Sequence, residues 1–169
     1  MFEYLLKTKT FILFLFILFI QIIIAFIPNF FDVDFGEDPV KYKSLVHIFF
    51  LAVIFAPIIE TMFFNVFPVE VLSLFIKNKY LIVILASIVF ASIHTYSIAY
   101  LIMTYFGAIG LNVFYLVVKE KKGFLGSTGL TILLHSIYNL IGFLLLKYFM
   151  FYKLSYRKIV SCCNKFSNF

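Results

Sequence analysis

The stretch from Ser44 to Ile76, SLVHIFFLAVIFAPIIETMFFNVFPVEVLSLFI, decides the fold. Its main interruptions are Glu60, Asn65, Pro68 and Glu70. As one straight helix it would be roughly 48 Å long, against a hydrocarbon core of about 30 Å. The reading is therefore a membrane-embedded segment with a kink or break near Pro68.

The rest of the chain has the same character. Of its 169 residues, 64% are hydrophobic, 21% aromatic and only 13% charged, with a mean hydropathy of +1.09. Water-soluble domains carry about a quarter of their residues as charges, so this composition reads as an integral membrane protein. The net charge is +6, but the basic residues fall between apolar runs and at the two ends. That pattern fits membrane topology and argues against a nucleic-acid partner. Cys162 and Cys163 are adjacent, which excludes a loop-closing disulfide and CxxC metal spacing. They read as palmitoylation sites or lipid-facing filler. Phe166 occupies the position where a C-terminal prenylation box needs cysteine.

Working outward, Lys7 and Lys9 precede an apolar run, Phe11 to Ile27, of about the minimum length for a spanning helix. The run is long for a signal-peptide core and no A-x-A-like site precedes Pro28, so it reads as an anchor that is retained. Pro28 to Lys43 holds Asp32, Asp34, Glu37 and Asp38 and reads as an exposed loop. Beyond Ile76, Lys77-Asn78-Lys79 forms a basic turn. Two further apolar runs follow, Leu81 to Ile93 and Ile98 to Val118, hinged near Tyr96. Gly107 and Gly110 in the second run are small residues that let helices approach. Lys119 to Gly123 is a second basic turn, and a last helix is expected from about Leu130 to Phe151, capped by Ser127 or Thr128.

The fold class is thus all-α, a polytopic transmembrane bundle of about five spanning helices. Residues 1–43 comprise the first helix and an acidic extracytoplasmic loop, 44–151 the core, and 152–169 a basic interfacial or disordered tail. The positive-inside rule puts the N-terminus and both basic turns in the cytoplasm. Five spans would then leave the basic tail outside, against the same rule.

Few strongly polar side chains remain at depth: Glu60, Asn65, Glu70, His94, Asn112, His135 and Asn139, with His47 near an end. Each is costly in lipid, about 2.5 to 3.5 kcal/mol for an ionised group on lenient insertion scales, so such residues usually face an interior cavity. Along straight helices Glu60 lies roughly 24 Å from Ile76, His94 roughly 21 Å from Tyr80 and His135 about 12 Å from Ser127. A shared layer is compatible with these depths. Phe90 and His94, and His135 and Asn139, are each four apart and so lie on one helix face. Taken singly, each residue reads equally well as interhelical glue, and His47 and Asn112 are assigned to it. Glu70 is placed where the chain turns toward the aqueous edge.

Glu60 with Phe64, Phe90-Ala-Ser-Ile-His94 (FxxxH), Tyr105-Phe106-Gly107-Ala-Ile-Gly110 and His135-Ser-Ile-Tyr-Asn139 (HxxxN), in this order, resemble the CPBP family of intramembrane proteases. That family is also called the CAAX protease, bacteriocin-processing or Abi family. The resemblance covers roughly Leu45 to Leu146. The family's first motif is usually EExxxR, and here Thr61 and Asn65 stand at the second glutamate and the arginine. Replacing both members of such a pair with neutral hydrogen-bonding groups avoids a stranded buried charge.

The resemblance implies an intramembrane endopeptidase (a hydrolase) acting on a membrane-associated peptide or protein, in which Glu60 and His94 activate water while His135 and Asn139 stabilise the oxyanion. Zinc is the rival cofactor, since Glu60, His94 and His135 match a catalytic His₂Glu set. A liganded Glu60 would leave no carboxylate as base, which favours a mechanism without an obligatory metal. The competing functional classes are a catalytically impaired membrane binding or bacteriocin-immunity protein and a small transporter with a proton relay. The Phe, Ile, Lys and Asn bias points to an AT-rich bacterium, hence a multi-pass protein of its plasma membrane.

Overall fold

The computed structural model describes residues 1–27, 44–95 and 97–166, with side chains as far as residue 145. The acidic segment 28–43 and the expected hinge residue Tyr96 lie outside the described residues. All regular structure among the described residues is helical. Helix α1 is Phe2–Lys7 and α2 is Thr10–Phe26. Helix α3 is the continuous run Leu45–Phe75, and α4 is Lys79–Ser92. The final run, Ile98–Phe166, is divided at Gly123 into α5 (98–122) and α6 (124–166).

Two of these runs, Leu45–Phe75 and Ile98–Leu145, are long and apolar enough to cross a membrane; Thr10–Phe26 and Lys79–Ser92 are shorter apolar helices. Dividing the second long run at Gly123 gives five apolar rods. Their outer faces are rich in large apolar side chains, including Phe11, Phe19, Phe63, Phe67 and Phe75. Such a surface suits lipid and not water.

Helix α5 is the centre of the bundle. Residues 111–118 are buried on every side, which is why LNVFYLVV can be apolar all round and needs no polar face except Asn112. Leu13, Phe14 and Ile17 of α2 pack on one flank, Phe14 meeting Phe114 edge to face at 5.7 Å. A Cβ at Gly110 would stand 3.2 Å from Ile17 Cγ2, so glycine there sets how closely α2 approaches. Gly107 has no such neighbour, but its carbonyl accepts from Gln21 Nε2 at 3.1 Å. Asn112 Nδ2 donates to Ser87 Oγ at 2.9 Å, tying α5 to α4. His47 is exposed in the first turn of α3 and is not interhelical glue.

Of the kink or break expected near Pro68, the break does not occur: the helix runs through it. Instead α3 contains two π-helical segments, Phe50–Phe55 and Thr61–Val66. Each is followed by a proline at the second residue of the next α-helical turn, Pro57 and Pro68. A proline cannot donate a backbone hydrogen bond and its ring crowds the preceding turn. A wider turn just before it keeps the helix going.

One end of the bundle is stapled by charge. Glu70 accepts from Lys119 Nζ at 2.6 and 2.7 Å and from Tyr115 Oη at 2.7 Å, joining α3 to α5. Lys79 of α4 pairs with Glu120 of α5. Lys121 Nζ donates to the Leu5 carbonyl at 3.0 Å and to the Thr8 carbonyl, capping the C-terminal end of α1. The residues read as a second basic turn are therefore the last turn of a helix, and the turn itself is Gly123.

The reversal at Gly123 has φ 72° and ψ −177°, a conformation essentially confined to glycine. Because α6 starts immediately after it, Ser127 and Thr128 are not caps. Both lie inside the helix and bond back to the carbonyls of Gly123 and Phe124. The N-terminal caps that do form are Ser44, Asn78 and Ser97.

Replacing Gly123 with alanine should cost about 1 to 3 kcal/mol, through the backbone alone because its Cβ would meet nothing. Gly129→Ala, at an exposed helical site with equal room, should leave stability unchanged or raise it by up to about 1 kcal/mol. Thermal unfolding of the two variants in one detergent distinguishes them, and equal melting temperatures would contradict the strained turn.

Candidate functional site

Glu60 is the last residue of the α-helical turn Ala56–Glu60, held between the two π segments of α3. Such wide turns change which face of a helix a residue occupies and recur at functional sites. Here the Glu60 side chain remains 24% exposed, while Thr61 beside it is fully buried.

His94 does not lie on the face of a helix as its spacing suggested. Helix α4 ends at Ser92, and Ile93 is its C-cap. The motif spacing still has a physical role. His94 Nδ1 lies 2.9 Å from the Phe90 carbonyl, and its ring stacks on Phe90 with centroids 5.0 Å apart and planes at 19°. A carbonyl only accepts, so Nδ1 carries the hydrogen and Nε2 is left with a bare lone pair. That Nε2 faces Glu60 Oε2 at 3.8 Å.

His135 comes from α6 and is buried. Its Nε2 lies 3.7 Å from the same Glu60 Oε2, and its Nδ1 lies 3.1 Å from Thr61 Oγ1. The separations of 3.7 and 3.8 Å exceed a direct hydrogen bond. One carboxylate on α3 thus faces two imidazoles, one just beyond the end of α4 and one on α6. His135 is deeper than its expected depth because α6 starts at 124, which adds about 5 Å of helix.

Asn139, one turn after His135, goes elsewhere. Its Nδ2 donates to the Ala52 carbonyl at 2.8 Å. The cause is in α3: the Ala56 N–H reaches back to Leu51 in π register, so the donor owed to Ala52 would be residue 57, which is proline. Asn139 supplies the hydrogen bond that Pro57 cannot. Pro57 is the sequence signal for this bond.

Thr61 and Asn65 do not pair with each other. Thr61 serves His135, and Asn65 is fully buried with both side-chain polar atoms unpartnered among the described residues. Motif spacing gives no signal for the Thr61 contact, since it marks position 61 only as the place of a lost carboxylate. Glu60, His94 and His135 have zinc-ligand chemistry, but among the described residues no three His, Cys, Asp or Glu side chains are grouped to hold a metal ion. As placed, the three side chains are not drawn together around a common metal position.

A family model described as "Type II CAAX prenyl endopeptidase Rce1-like" matches residues 42–141, more than half of the chain. No curated protein matches, and no solved structure matches. The matched region contains Glu60, His94, His135 and Asn139.

Asn139→Ala should lower stability by about 1 kcal/mol, since it leaves the Ala52 carbonyl with no donor in an apolar setting. Thermal unfolding in detergent measures this. An unchanged melting temperature would show that the bond contributes nothing.

Proposed function

The chain belongs to the Rce1-like type II CAAX prenyl endopeptidase family, a family of membrane-embedded proteases, and on that premise we propose that it is an intramembrane endopeptidase. The observation that carries this reading is the single carboxylate of Glu60 facing His94 Nε2 and His135 Nε2 at 3.8 and 3.7 Å. Glu60 takes a proton from water as that water attacks the peptide carbonyl. His94 Nε2, with its lone pair free, accepts a hydrogen bond from the same water and orients it. His135 donates to the developing oxyanion, while Asn139, bonded to the Ala52 carbonyl, holds α6 in place one turn away. The leaving amine then receives the proton held by Glu60.

The substrate class is a peptide or protein associated with the membrane, reached through the lipid-facing wall in which Glu60 lies. The protein is multi-pass, in a bacterial plasma membrane, with its N-terminus in the cytoplasm. Residues 44–151 form the protease core, preceded by 1–43 with its anchor helix and followed by 152–169. The family description names prenylated CAAX ends as what such enzymes cut. For this chain a bacterial setting favours a substrate without the prenyl group.

A second reading is favoured by Thr61 and Asn65. With the second glutamate and the arginine of the usual first motif absent, the fold would serve as a non-catalytic membrane binding or bacteriocin-immunity protein.

Peptide termini of membranes expressing the wild type, Glu60→Gln or His135→Ala decide between the two. For hydrolysis, the wild type generates new termini that Glu60→Gln lowers by about 10²- to 10⁴-fold, the range for losing a general base. They should persist with chelator present, and their loss there would instead recruit Glu60, His94 and His135 as zinc ligands. Identical termini from all three folded proteins would leave the binding reading.

A further inference from the structure

Thr61 uses its hydroxyl unlike six other helical serines and threonines. Ser73, Ser87, Thr104, Ser127, Thr128 and Thr131 each bond back to a carbonyl three or four residues earlier on their own helix. That is the local default for a hydroxyl inside a helix. Thr61 Oγ1 instead lies 3.1 Å from His135 Nδ1, on another helix, with both residues buried.

A hydroxyl has one hydrogen to give, and that of Thr61 is not given to a carbonyl of its own helix. We infer that Thr61 is a positioning residue that donates its O–H to His135 Nδ1 and thereby holds His135 in the tautomer whose hydrogen is on Nε2. His94 is held in the opposite tautomer by the Phe90 carbonyl, 2.9 Å from its Nδ1. The two Nε2 atoms that face Glu60 are therefore unlike: that of His94 is an acceptor and that of His135 is a donor. An ionised carboxylate reaching the same Nδ1 only accepts, and it would fix His135 the other way. Threonine at 61 is thus a distinct choice of hydrogen-bond polarity and not simply the loss of an acid.

The consequence for chemistry rests on the hydrolytic reading above. The acceptor, His94, contacts the attacking water and the donor, His135, contacts the oxyanion. The tautomer assignment itself does not rest on it.

The chain has three histidines, His47, His94 and His135, so ¹⁵N-histidine labelling in lipid bilayers gives three imidazoles. His47→Gln and His94→Gln assign their signals. Ring-nitrogen shifts then report which nitrogen of each is protonated, without any substrate. We expect Nδ1–H for His94 and Nε2–H for His135. Thr61→Ser should keep the His135 pattern, and folded Thr61→Val should move it toward the other tautomer. Nδ1–H at His135 in the wild type overturns the inference, whether or not Thr61→Val folds. So does an unchanged Nε2–H pattern in folded Thr61→Val. If the protein cleaves peptides, Thr61→Val should lower kcat by up to roughly 10²-fold with KM little changed, and Thr61→Ser should restore it. Absent cleavage with the expected ring shifts would sink the peptidase reading alone.

Discussion

Every backbone carbonyl and polar side chain placed in lipid must find its hydrogen bond inside the protein, because the solvent offers none. In α3 this requirement meets two prolines in the middle of an apolar helix. The helix widens into π turns ahead of each of them and stays continuous. The carbonyl that Pro57 leaves without a donor is met by Asn139 from α6. That bond fixes α6 against α3 one turn from His135, so the constraint that shapes the helix also helps to place the imidazole opposite Glu60.

The site uses local bonds in the same way. His94 stands beyond the end of α4, where a free turn would leave its ring unconstrained, and the Phe90 carbonyl and ring hold it. Thr61 forgoes the helical back-bond that its neighbours make and reaches His135. Glu60 alone among the three is left partly open, as a group that must meet something from outside would be. Asn65, buried with neither polar atom partnered among the described residues, stands apart: we have no physical account of it.

The helical class, the apolar runs and the polar residues at depth were legible because composition and run length report the solvent directly. The convergence of Glu60, His94 and His135 was legible as a shared depth and a motif order. What was not legible depended on register. Pro68 looks like a break unless the widening of the turn before it is known, and that widening follows from how α3 packs. Ser127 and Thr128 look like caps unless Gly123 is seen to do the turning by itself, which is a matter of one backbone angle. Asn139 shares a face with His135 as spacing required, yet its partner was decided on a different helix by a proline 82 residues earlier.

Lys121 caps α1 through carbonyls that precede it by 116 and 113 residues. At ribosomal rates of about 5 to 20 residues per second, α1 waits on the order of ten seconds before the lysine that secures it has been made. Through that interval its terminal carbonyls depend on water and lipid headgroups. The N-terminal foot of the bundle has an earlier partner in α4, where the Phe2 ring meets Tyr80, but the cap on its C-terminal end is completed only once the last turn of α5 has been made.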